Sequence, residues 1–193
     1  MAEIETAEIE TLDARQLSAQ DARAIAELLV KVWPKLEKPV EVRERQMREL
    51  GQGYTGPDIQ APRSFVIREN GIVIAHAAFV TRTILVGSQE LTIAGLTRVC
   101  TDPSKRGMGL GEKIVRPVLD LVDQGVFDFS YFQTTPQVVP FYERLAAVLT
   151  TNRVVNSLAV DPRAYPFWDE LQMRYPADRP WPEGVIDLRG PGF

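Results

Sequence analysis

The chain has one cysteine and one histidine among its 193 residues. A single cysteine excludes an internal disulfide, and a reducing, cytoplasmic setting is the natural expectation. Cys100 and His76 make no cluster of metal-ligand composition, so no metal is expected. The same scarcity argues against a zinc hydrolase or a cysteine–histidine nucleophile pair. No run approaches the ~18 apolar residues that span a bilayer, and the acidic amino terminus lacks the apolar stretch of a signal peptide. A basic excess is missing too. A net charge of −4 and a pI near 5.2 argue against nucleic acid or an anionic membrane as the main partner. Internal repeats and low-complexity segments are absent. The composition is 45% hydrophobic, enough for an ordinary core. One domain spanning residues 1–193 is expected, with 161–193 as a docked C-terminal tail.

Apolar spacing and turn residues set the expected elements. Ile4 to Leu12 alternates loosely, as an edge strand does. Ser18 is a plausible N-cap for a helix from Asp21 to Trp33, whose Ile25, Leu28, Leu29 and Val32 form one apolar stripe. Pro34 stops it. Pro39 opens a second helix through Leu50, dense in charge, which reads as a solvated face with i,i+4 pairs. Residues 51–62 read as loop. Strands Ser64 to Glu69 and Ile72 to Thr83 flank Asn70-Gly71, a strong hairpin signal. A turn at Gly87-Ser88 leads into a strand from Leu91 to Thr101. A helix from Leu110 to Asp123, with Pro117 expected to kink it, and a strand from Val126 to Phe132 follow. Val154 to Val160 reads as a last strand. The proline-rich stretch 161–182 is expected to wrap the surface.

The most informative stretch joins the strand ending at Thr101 to the helix opening at Leu110. It contains Arg106-Gly107-Met108-Gly109-Leu110-Gly111. Glycine leaves the backbone open to a ligand, consecutive N–H groups converge on one anion, and the helix dipole points the same way. Arg106 adds a formal charge. Such a loop suits a phosphate or pyrophosphate. The dinucleotide fingerprint fails because Glu112 stands where its last glycine belongs, and the nucleotide-hydrolase loop fails because Glu112 separates Gly111 from Lys113 and Ile114 follows.

The arrangement Arg106-x-x-Gly109-x-Gly111 after a Val-x-Thr-x-Pro strand end resembles the acyl-coenzyme A loop of the GNAT superfamily of N-acyltransferases. A second landmark, Thr135-Pro136 through Pro140-Phe141-Tyr142-Glu143-Arg144-Leu145, looks like the family's closing helix, although Ala146-Ala147 replaces its usual Gly-aromatic pair. Within the family, Ile74-Ala75-His76-Ala77-Ala78 is similar to a strand of aminoglycoside 2'-N-acetyltransferases. The tail from Trp181 is similar to that of the nodulation acyltransferase NodA. The resemblance implies an α+β fold with a mixed, mostly antiparallel sheet flanked by helices.

It also implies a chemistry. Acetyl-coenzyme A is the expected cosubstrate. Val99, Cys100 and Thr101 would align its pantetheine arm, while Arg106, Gly107, Met108, Gly109, Leu110 and Gly111 would hold the pyrophosphate. Thr135 stands at a further coenzyme A contact, where many members carry Asn. A backbone amide near Val99 would stabilise the oxyanion. Tyr142 falls on the tyrosine that protonates the departing thiolate in many members. The acceptor is expected to be a small-molecule primary amine, amino-sugar-like on the strength of the two relatives. Thr97 stands where the aminoglycoside enzymes carry a glutamate proposed as base, and a threonine is no base at neutral pH. His76, the one unperturbed group titrating near neutrality, reads first as a hydrogen-bonded strand histidine, with a role in holding acceptor or water as the alternative. A longer-chain or carrier-protein donor and a non-catalytic coenzyme A sensor remain alternatives. The oligomeric state stays open, a homodimer included.

Overall fold

The computed structural model describes residues 8–193. The elements run β1 (Ile9–Asp13), α1 (Ala19–Val32), α2 (Val40–Glu49), β2 (Arg63–Glu69), β3 (Ile72–Val86), β4 (Gln89–Thr101), α3 (Leu110–Asp123), β5 (Phe129–Thr134), α4 (Val139–Arg144), β6 (Val148–Leu149), β7 (Val154–Val155), β8 (Leu171–Tyr175) and β9 (Ile186–Asp187). They form two compact units. One takes the chain up to Val80 together with Thr97–Pro117, and the other takes Thr81–Leu96 and Val118–Phe193.

In the first unit, β1, β2 and β3 pair antiparallel, and β4 follows β3 in the hydrogen-bonded order. Asn70 and Gly71 take the left-handed φ values, 51° and 81°, that the tight β2–β3 turn demands. Every residue of β3 from Val73 to Phe79 is buried, so both faces of this strand are covered. The helical stripe of α1 covers one side: Ala22, Ile25, Leu28 and Leu29 pack with Met47 of α2, Val66, Val73 and Cys100. Ser18 caps α1 as its sequence predicts, with Oγ accepting the Asp21 N–H at 3.0 Å. Residues 4–7 of the expected first strand lie outside the described residues; its remainder is β1.

The charged helix α2 departs from expectation. Arg45 and Glu49 make an i,i+4 pair at the surface, but Arg43 is buried. The helix therefore presents one guanidinium inward rather than a wholly solvated face.

In the second unit, β4 pairs parallel with β5 from Ile93↔Phe129 to Gly95↔Tyr131, β5 pairs antiparallel with β8, and β8 with β6. The distal end of β3 pairs with β9, which pairs parallel with β7. Three sequence readings are corrected here. The strand expected from Val126 starts at Phe129, because the preceding residues finish α3. Gly125, at φ 74°, donates to the Val122 carbonyl and Val126 donates to Leu121, which is a Schellman closure. The stretch expected to wrap the surface contains β8, whose Gln172, Met173 and Tyr175 are buried. Only Val154–Val155 of the strand expected there is extended.

The tail is held by side chains. Trp181 stacks on Tyr131 and donates from Nε1 to Asn152 Oδ1 at 2.9 Å. Ile186 and Leu188 are fully buried, and Phe193 meets Phe167 edge-on at 5.4 Å between centroids.

Candidate active site

The glycine-rich loop begins where Asp102 turns the chain out of β4. Its N–H donates to the Ile74 carbonyl at 2.8 Å. Its carboxylate accepts from Ser104 N and Oγ at 3.0 and 2.8 Å and pairs with Lys31 Nζ at 2.6 Å. The Lys31 ammonium, helped by the Ser104 donors, holds this carboxyl at about 2, well below the usual range. Lys105 pairs with Glu69 at 2.6 Å. Both ends of the turn after β4 are thus tied to the scaffold.

Beyond Lys105 the loop is open. Arg106, Gly107, Met108 and Gly109 are exposed. Arg106 enters no ion pair among the described residues. Gly107 and Gly109 sit at φ 78° and 75°, and a Cβ at either would meet nothing within 4 Å. Conformation, not crowding, therefore calls for glycine, and the space in front of the amides is free for a ligand. Leu110 and Gly111 start α3, whose positive dipole end faces the same region. Exposed donors at a helix N-terminus with clear approach are what a pyrophosphate requires. The residues fit coenzyme A on that ground.

Upstream of the loop, Val99 and Thr101 are half-buried, whereas Cys100 turns its side chain into the α1 core. Burial pushes its thiol up to about 12, so it stays protonated at neutral pH and is no acyl carrier. Any service from Cys100 to a cosubstrate comes from its backbone. Pairing of β4 with β5 ends at Gly95, although β4 continues to Thr101 and β5 to Thr134. Just past that point Arg98 takes φ 53°, a left-handed value inside a strand.

His76 does not stand where acceptor or bulk water reaches it. It is fully buried, with Nδ1 2.8 Å from the Arg98 carbonyl oxygen and Nε2 3.3 Å from Ser64 Oγ. A carbonyl only accepts, so Nδ1 carries the proton and Nε2 accepts from the serine. Desolvation, the larger influence, pushes its pKa down to about 4. The ring is neutral at pH 7 and braces β4 as a hydrogen-bonded strand histidine, the first of its two sequence readings. Thr97 is also buried, and its Oγ1 accepts from Arg98 Nη1 at 3.4 Å.

In the second unit, Tyr142 lies on α4 with its ring 4.4 Å from that of Phe132 and 4.9 Å from that of Phe141. Burial pushes its phenol above the usual value, so it remains a loaded proton donor at any neutral pH. Its hydroxyl has no hydrogen-bond partner among the described residues. The Thr135 carbonyl accepts from Val138 and Val139 N–H at 2.9 and 3.2 Å, which fixes the start of α4.

The model of the acetyltransferase (GNAT) domain matches residues 13–147. The chain belongs to the GNAT acetyltransferase family. The sequence of this GNAT chain announces the loop and α4 but not the buried Arg43 or the half-buried Arg98. The available signal is an arginine between Thr97 and Val99 in the largely apolar run 93–100 of β4. Solved structures agree on the fold. The GNAT family N-acetyltransferase YhbS from Escherichia coli, solved in complex with CoA, is 18% identical with a TM-score of 0.61, over 94% of this chain and 89% of that one. Glucosamine-6-phosphate N-acetyltransferase from Arabidopsis thaliana is 17% identical with a TM-score of 0.55, over 80% and 99%. A GCN5-related N-acetyltransferase from Kribbella flavida is 17% identical with a TM-score of 0.56 over 77% of this chain, which spans only 35% of that longer protein. No curated protein matches the chain. Among the described residues, no helix is long and apolar enough to cross a membrane, and no group of three or more candidate ligands stands ready for a metal.

Proposed function

We propose that this GNAT chain is an N-acetyltransferase that moves the acetyl group of acetyl-coenzyme A to the primary amine of a small, amino-sugar-like molecule. The observation that carries this reading is the exposed loop Arg106–Gly109, with open approach and a helix start behind it. The pyrophosphate would sit on those amides with Arg106 beside it. The β4 edge at Val99–Thr101 would align the pantetheine arm. The tail similarity and the amino-sugar enzyme among the structural neighbours support the acceptor class.

The residues then divide the chemistry. The acceptor arrives as the neutral amine, because Thr97 is no base and the buried His76 ring is engaged at both nitrogens. Its nitrogen lone pair attacks the thioester carbon, with a β4 N–H near Val99 holding the oxyanion. The C–S bond breaks, the thiolate takes the Tyr142 proton, and the new amide gives its extra proton to water. Tyr142 is reloaded from solvent. Positioning of two bound reactants supplies most of the rate gain, and the phenol contributes a further ~10²–10⁴-fold as general acid.

The test is amine-dependent release of coenzyme A thiol, run with acetyl-coenzyme A and a long-chain acyl-coenzyme A over a panel of amines that includes amino sugars. Turnover with the acetyl donor is expected. Preference for the long chain would favour the donor suggested by the NodA-like tail. Binding of acetyl-coenzyme A without turnover on any amine would leave a sensor and contradict the enzymatic reading.

A further inference from the structure

Two cationic side chains in the first unit lie within electrostatic reach of each other without a carboxylate between them. Arg43 on α2 is 8% exposed. Its Nη2 donates to the Trp33 carbonyl at 2.7 Å, at the end of α1, which is ordinary work for a cation at a helix C-terminus. Its Nε is buried and has no partner among the described residues. The carboxylate that acts on it is that of exposed Glu37. Arg98 on β4 is half-buried, and its guanidinium makes only the long 3.4 Å bond to Thr97 Oγ1. No carboxylate acts on Arg98 among the described residues. Desolvation and the Arg43 cation together push it down to about 10. Cys100, the other neighbour, stays a neutral thiol.

Burying a cation is costly unless it is paired, and a second cation nearby raises the cost. Several arginines elsewhere are paired, Arg15 with Asp13 and Asp58, Arg68 with Glu10 and Asp21, Arg189 with Glu90, and half-buried Arg82 instead donates to the Pro191 carbonyl. The helix-end bond explains one nitrogen of Arg43 and leaves its Nε without a partner among the described residues; Arg98 has only its long bond to Thr97. Arg98 also occupies the left-handed position of β4, adjacent to Val99. A planar guanidinium fork matches the geometry of a carboxylate or phosphate.

We propose that Arg98 and Arg43 form an oxyanion-binding site that takes the carboxylate or phosphate substituent of the acceptor amine. The assignment to an acceptor rests on the function proposed above. The acceptor is then an anionic amine, an amino-sugar-like molecule bearing a carboxylate or phosphate, and not a simple alkylamine. Its anion is anchored at Arg98, next to the strand edge that aligns the donor.

The site is tested without acetyl-coenzyme A, so its fate is separable from that of the enzymatic reading. The melting temperature of the protein is measured in chloride, glutarate and inorganic phosphate at matched ionic strength and pH. A ligand bound only by the native state raises it by mass action. A rise above chloride is expected with glutarate if the substituent is a carboxylate and with phosphate if it is a phosphate. Loss of that rise is expected in Arg98→Gln and, should that variant not fold, in Arg43→Gln. The rise should persist in Arg98→Lys and in Gly109→Glu, which blocks the loop amides. No rise above chloride with either probe, or a rise kept in both glutamine variants, overturns the proposal. A rise abolished by Gly109→Glu also overturns it, because the loop would then be the anion's site.

Discussion

His76 Nδ1 donates to the carbonyl of Arg98 at 2.8 Å, and Arg98 is the residue that breaks the regular geometry of β4 with φ 53°. A non-glycine residue held there costs on the order of 1–2 kcal/mol. Such strain persists where its surroundings over-determine it. The buried imidazole, itself fixed by Ser64, supplies that constraint. The lone histidine therefore shapes the strand from behind.

This burial makes stability depend on pH. The folded pKa of His76, about 4, lies below the unfolded value of about 6.5. Between those values the unfolded chain binds more protons, so stability rises with pH across this window. It is complete above ~6.5 and is lost as pH falls toward 4, by on the order of 3 kcal/mol. Urea midpoints measured from pH 7 to 4.5 should fall accordingly, and His76→Asn should flatten that slope.

Asp102 is expected to be the anchor of the loop. Asp102→Ala removes two bonds from Ser104 and the Lys31 pair. Lys31 is largely exposed and is left in water, so the loss is mainly that of charge-assisted bonds, about 2 kcal/mol. Denaturant unfolding should show this loss, together with weaker binding of acetyl-coenzyme A because the loop that follows is no longer tethered.

Tyr142→Phe deletes a hydroxyl with no hydrogen-bond partner among the described residues. Stability should change by less than ~0.5 kcal/mol, while kcat falls ~10²-fold or more at unchanged affinity for acetyl-coenzyme A. Steady-state kinetics and calorimetry on the same preparation check both halves. An unchanged kcat would remove the phenol from the mechanism.

Phe193 should matter to stability through its contacts. Phe193 is buried against Phe167, lies under the Arg82 guanidinium at 5.1 Å, and accepts from Gln133 Nε2 through its backbone oxygen at 3.0 Å. Phe193→Ala should cost about 3 kcal/mol, readable as a lower denaturant midpoint with an unchanged m-value.

What the sequence made legible was local. Ser18, Asn70-Gly71 and the glycines of the loop announce their conformations through chemistry within a few residues, and α3 spans the residues expected. The misses were non-local. Leu171–Tyr175 looks like surface between prolines until β5, more than 35 residues earlier, supplies its ladder. Val126 and Phe127 look like a strand until Gly125 is seen to close α3. Arg43 sits among surface charges on α2, and only packing turns it inward. Arg98 carries a left-handed φ that no glycine or asparagine advertises. His76 reads as a near-neutral group because its burial comes from both faces of β3, which pattern alone does not reveal.

The most direct test is calorimetric titration of the full chain with acetyl-coenzyme A, beside Gly109→Glu, whose side chain enters the open space before the loop amides and sets a like charge against the pyrophosphate. Saturable binding by the native protein, lost in the variant, is the expected result. Absence of binding in the native protein, or equal binding in both, would contradict the loop as the cosubstrate site.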